Sequence, residues 1–130
     1  MSAEMYNPLA LIIEDDACLR HSLDLTMREY GFAVQLAYDT QEARALVEQK
    51  MFDVIVVDLS FGNQEGVTLL ERVQHRRTLK HALVTVLAPD KSATDGLVRP
   101  VHQVLIQPIY QHDLRYMADR LMRSLDASLH

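Results

Sequence analysis

The sequence holds a single cysteine, Cys18, so neither an intrachain disulfide nor a cysteine-built zinc site can form. Glycine and proline number only four each, which excludes a low-complexity or collagen-like chain. Positive charge is in deficit: 13 Lys and Arg face 18 Asp and Glu, for a net charge of −5. Gripping a phosphate backbone normally takes a basic face, so nucleic-acid binding is not expected of this domain itself. The longest apolar runs, at residues 9–13 and 54–57, fall far short of the roughly 20 residues that cross a bilayer. Residues 1–7 carry no basic stretch with an apolar one behind it, so the cytoplasm is the expected compartment. The phosphate-cradling and nucleophile-elbow patterns G-x-G-x-x-G, P-loop and G-x-S-x-G are missing. Six histidines show no paired ligand spacing; Cys18 and His21 lie three apart on an expected helix, but nothing nearby completes a metal site. His75, Arg76, Arg77, Lys80 and His81 form a basic patch suited to a helix end and too small to argue for nucleic acid.

What is present is the composition of a folded domain: 130 residues, 48% hydrophobic and 24% charged. A chain of this length removes roughly two-thirds of its unfolded surface from water and can build a core without staples. One domain over residues 1–130 is expected, with its core at about 8–127.

Short apolar runs alternate with amphipathic segments. Residues 9–13 are continuously apolar, as befits a strand buried on both faces, and stop at Glu14, Asp15 and Asp16. Asp16 is an expected N-cap for a helix over 17–30, whose Leu19, Leu23, Met27 and Tyr30 recur at helical spacing before Gly31 ends it. Residues 32–37 predict a second strand. Asp39 and Glu42 read as a capping box before a helix with Ala43, Leu46 and Val47 on one face. Residues 54–57 are all β-branched and predict a third strand ending at Asp58. A loop over 60–65 leads to a third helical segment carrying Val67, Leu70 and Val73. A fourth strand is expected at 82–87 and a fifth at 101–106. The fourth helical segment between them should be short or distorted, because Gly96 lies inside it and Pro100 cuts it off. Leu114, Met117, Ala118, Leu121 and Leu125 mark a long last helix.

This alternation predicts an α/β fold with a parallel sheet covered on both faces. Ligands of such sheets sit beyond the carboxyl ends of the strands. Glu14, Asp15, Asp16, Asp58, Leu87, Ala88 and Gln107 should therefore converge on one rim. Clustered carboxylates repel unless one is protonated or a cation lies between them, and hard oxygen ligands suit Mg²⁺. An Asp in such a place is also a chemically sensible phosphate acceptor. Acids also cap helices, and for Asp16 that plainer role is preferred.

The segments Leu11-Ile12-Ile13-Glu14-Asp15-Asp16 and Asp53-Val54-Ile55-Val56-Val57-Asp58-Leu59, then Gly66, then Gln107-Pro108-Ile109 with Asp113-Leu114, together resemble the receiver domain of bacterial two-component response regulators, the CheY-like family. The resemblance implies a flavodoxin-like (βα)5 three-layer sandwich with strand order 2-1-3-4-5. It implies Asp58 as phosphoacceptor, Asp15, Asp58 and the backbone carbonyl of Ser60 as Mg²⁺ ligands, and Glu14 acting through water. It implies a histidine kinase or phosphotransfer protein as partner. It also implies an output domain or a second copy docked on the face of the fourth helix, fifth strand and fifth helix, with nucleic acid reached only through an output domain outside this chain.

Two switch positions depart from the family. Leu87 stands where the family has Thr or Ser, and Gln107 stands where it has Lys. Thr85, two residues earlier on the same strand face, should sit one layer too deep to replace the hydroxyl. Gln can donate a hydrogen bond but brings no charge. Losing one preorganised donor from a comparable site costs on the order of 3 kcal/mol in the barrier. A modification with no differential contact shifts no equilibrium. The resemblance thus implies a receiver whose phosphorylation switch is impaired or absent, and no enzyme beyond phosphorylation of Asp58 itself. The alternatives are a phosphorylation-independent interaction module on the same fold and, more remotely, a Mg²⁺-dependent phosphatase or phosphotransferase.

Overall fold

The computed structural model describes residues 7–60, 68, 82–95, 97 and 101–128. Their elements are β1 (Leu9–Ile13), α1 (Ala17–Glu29), β2 (Ala33–Ala37), α2 (Thr40–Gln49), β3 (Val54–Asp58), β4 (Leu83–Ala88), a 3-10 turn (Lys91–Thr94), β5 (Gln103–Ile106) and α3 (Gln111–Ser128). Of the third helical segment expected around Val67 to Val73 only Thr68, which is helical, is described; the rest of it, Gly66 and the basic patch at residues 75–81 lie outside the described residues.

The strands form one parallel sheet in the order β2-β1-β3-β4-β5. This is the flavodoxin-like order, with its central strands the most apolar. Every residue of β3 is buried, and so is β1 apart from Leu9. Side-chain parity splits the core in two. Leu11, Ile13, Ile55, Val57, Val84 and Val86 pack with Ala43 and Val47 of α2 on one face. Ala10, Ile12, Val54, Val56 and Leu87 pack with Leu23 and Met27 of α1 and Leu114, Met117 and Leu121 of α3 on the other. Each Val, Leu, Ile or Met side chain among them contributes about 1.5–3 kcal/mol when fully buried.

The helix ends follow their sequence signals. Asp16 caps α1, its carboxylate accepting from the Leu19 N–H. Gly31 takes φ +100 just past the end of α1, where Tyr30 is the C-cap rather than a helical residue. Asp39 caps α2 by accepting from the Glu42 N–H at 2.7 Å, but Glu42 reaches back to the N–H of Tyr38 rather than to that of Asp39. α3 starts three residues before Leu114, the Asp113 carboxylate accepting from the Tyr110 N–H at 2.8 Å. Between β4 and β5 the described residues 89–95, 97, 101 and 102 hold a four-residue 3-10 turn capped by Asp90. A long-range polar contact ties the start of α3 to α1: Gln111 Nε2 donates to the buried Thr26 Oγ1 at 2.8 Å. Among the described residues no helix is long and apolar enough to cross a membrane.

Candidate metal and phosphoacceptor site

The parallel register fixes the site. Ile13 pairs with Val57, so Glu14 and Asp58 follow on adjacent strands at the same edge, with Asp15 one residue beyond. Carboxylate oxygens of Glu14, Asp15 and Asp58 all lie within 4.8 Å of one another. Glu14 and Asp58 are buried and Asp15 is exposed, so the cluster opens to solvent on one side.

Glu14 is held from three directions. Its N–H donates to the Ala37 carbonyl at 3.1 Å, its carbonyl accepts from Arg20 Nη1 at 3.0 Å, and its Oε2 accepts from the Asp16 N–H at 3.1 Å. Its Oε1 is buried with no hydrogen-bond partner. Burial, reinforced by the adjacent Asp58 carboxylate and its negative charge, pushes the Glu14 carboxyl up to about 9. An orphaned oxygen in a buried acid cluster is satisfied by a proton on Glu14 or by a cation among the three carboxylates. The donor set is all hard oxygen, and the residues present fit Mg²⁺.

Asp58 Oδ1 accepts from both the backbone N–H of Ser60, at 2.8 Å, and its hydroxyl, at 2.6 Å. The hydroxyl is a contact that the family resemblance, which implies only the Ser60 carbonyl, does not announce. Its signal is a Ser two residues after an Asp, the spacing of a local side-chain turn. Arg20 is likewise absent from the expected site, although it is a lone basic residue one helical turn after three acids.

Leu87 pairs in register with Asp58 and is fully buried; its carbonyl accepts from the Leu59 N–H at 2.8 Å. Thr85 lies two residues deeper, opposite Val56 and Gln103, with its buried Oγ1 unpartnered. Gln107 is exposed just past β5, its N–H donating to the Ala88 carbonyl at 2.9 Å. Cys18 and His21 are exposed on α1.

The response regulator receiver domain profile matches residues 10–119. The chain belongs to that family. Its acid cluster is of the kind typical of such domains. The chain is 26% identical over 117 residues to the transcriptional activator protein PfeR of Pseudomonas aeruginosa, a match covering 90% of this chain and 38% of PfeR. It thus spans well under half the length of the curated relatives it matches. In fold it is similar to the receiver domain of AraT, a response regulator from Geobacillus stearothermophilus, with TM-score 0.82 and 23% identity over 96% of this chain and 100% of that one. It is also similar to the chemotaxis response regulator CheY4 of Vibrio cholerae, with TM-score 0.78 and 21% identity over 89% of this chain and 99% of that one.

Proposed function

We propose that this chain is a phosphate-accepting receiver domain in two-component signalling, with Asp58 as phosphoacceptor and an impaired conformational switch. The observation that carries the reading is the meeting of Glu14, Asp15 and Asp58 within 4.8 Å at the carboxyl edge of the sheet. Asp15, Asp58 and the Ser60 backbone carbonyl are the proposed Mg²⁺ ligands, with Glu14 acting through water. Mg²⁺ held by these residues would supply charge neutralisation, letting Asp58 and an anionic phosphoryl group approach one another. An oxygen of Asp58 then attacks phosphorus, and the bond to the donor imidazole of a histidine kinase or phosphotransfer protein breaks. The domain accepts the group rather than turning over substrate.

Two residues limit the response to the bound phosphoryl group. Gln107 brings no positive charge to it, and Leu87 brings no hydroxyl to draw the end of β4 toward it. A single receiver domain over residues 1–130 would pass its signal through a partner, an output domain or a second copy, seated against β5 and α3. Any contact with nucleic acid would belong to such an output domain. The work would be done in the cytoplasm.

Treating the chain with Mg²⁺ and acetyl phosphate tests this by intact mass. A slow gain of one phosphoryl group, lost in Asp58→Asn, is expected. Failure to form an adduct with either acetyl phosphate or beryllofluoride overturns the phosphoacceptor role. That result would favour a phosphorylation-independent interaction module, the second reading that the buried Leu87 supports.

A further inference from the structure

Arg20 lies on α1 one turn past the acidic loop, yet its Nη1 donates to backbone carbonyls: that of Glu14 at 3.0 Å and that of Asp15 at 3.4 Å. Its guanidinium lies over the Tyr38 ring, 4.2 Å from the centroid. Tyr38 follows β2, and its own N–H donates to Glu42 Oε1 at 3.2 Å. A guanidinium presents its donors in a rigid planar fork, so seating the plane on a ring also fixes the direction of Nη1. The two carbonyls that it holds belong to the two residues whose carboxylates meet Asp58.

We propose that Arg20, seated on Tyr38, is a positioning residue for the acid cluster: by gripping the backbone of Glu14 and Asp15 it keeps their carboxylates within a divalent cation's reach of Asp58. The proposal rests on the metal site assigned to Asp15, Asp58 and Ser60. Asp15 stands beside the acid of Asp58, is exposed and sits on a loop, where repulsion would otherwise turn it outward. A cation bound to the Asp15 carboxylate would relieve that repulsion but would block the metal. Binding the carbonyls places positive charge behind the loop and leaves the carboxylate oxygens free. Tyr38 makes the seat part of the neighbouring β2–α2 corner, so two loops share the task.

The test uses Arg20→Ala, Arg20→Lys, Tyr38→Ala and Tyr38→Phe in the full chain, at a temperature where circular dichroism shows each to be folded. Mg²⁺ affinity is measured by NMR titration, and amide hydrogen exchange of Asp15 and Asp16 is followed without metal. Arg20→Ala should bind Mg²⁺ on the order of 10- to 100-fold more weakly, the usual effect of removing the support behind a metal ligand. It should also exchange the two amides faster. Lys, which neither stacks as a plane nor forks, should not restore binding. Tyr38→Phe should behave as wild type and Tyr38→Ala should follow Arg20→Ala, which keeps the test intact if the arginine variant fails to fold. Unchanged affinity and exchange in the folded Arg20→Ala or Tyr38→Ala protein, or full rescue by Lys, overturns the positioning role alone. A wild-type chain that binds no Mg²⁺ overturns the metal site and this role with it.

Discussion

Leu87 and Asp58 stand side by side on β4 and β3, in register at the edge where the acids gather, and Leu87 is completely buried. Its aliphatic chain belongs to the core shared with α1 and α3, so the position serves packing where the family's hydroxyl would serve the phosphoryl group.

Leu87→Thr should separate those two roles. Losing part of a buried side chain and gaining a hydroxyl should destabilise the fold by about 2 kcal/mol, read from the urea midpoint. In return, beryllofluoride should produce backbone shifts in residues 87–90 that the wild-type chain does not show. Equal responses in both would mean that Leu87 does not limit the switch.

Glu14 governs how the metal-free protein responds to pH. Its carboxyl, raised from 4.5 to about 9, keeps a proton in the fold that the unfolded chain has released. The folded state therefore binds more protons across that window, and stability falls as pH rises through it, by at most about 1.4 kcal/mol per pH unit. The stabilisation is fully present below 4.5 and lost by the time pH passes about 9. Urea unfolding without metal should show this slope, and saturating Mg²⁺ should remove it. Glu14→Gln should flatten it and should weaken Mg²⁺ binding.

Asp16 is expected to matter for α1 and not for the metal. Its carboxylate caps the helix, so Asp16→Ala should cost about 1 kcal/mol while leaving Mg²⁺ affinity within a factor of about two. A larger loss of affinity would make Asp16 part of the site.

Gly31→Ala should cost about 1–2 kcal/mol, because φ +100 strains any residue with a Cβ. The added carbon would lie 3.2 Å from Met122 Cε, the flexible tip of a long side chain, so backbone strain rather than a clash should dominate. The urea midpoint measures it, and Mg²⁺ affinity should not change.

The central strands were legible in the sequence because they are buried on both faces and carry no polar interruption, so β1 matched its expected bounds and β3 gained only Asp58. That legibility extends to the rim, since parallel pairing of two such strands brings Glu14 beside Asp58. The edge was harder to read. Val101 is apolar and packs on the core, but the ladder to β4 starts only at Gln103, opposite Thr85. Phe32 is buried just ahead of β2, without joining the strand. Apolarity reports burial, whereas a strand also needs a hydrogen-bonded neighbour. The contact of Arg20 was not legible for a related reason: it depends on a side-chain direction across a loop, which no periodicity encodes. The Ser60 hydroxyl contact is local, and its one signal was a Ser two residues after an Asp.

The sheet order has a consequence for how the molecule is made. β1 precedes β2 and β3 in the chain but lies between them, and the face that holds Ala10 and Ile12 is covered by α1 and by α3, which is made after all five strands. Until Leu114, Met117 and Leu121 arrive, α1 is the one described helix that covers that side of the nascent sheet, through Leu23 and Met27, and the rest of the face stays greasy. Translation stalled before Gln111 would strand both the apolar face and the Thr26 hydroxyl without the residues that close them.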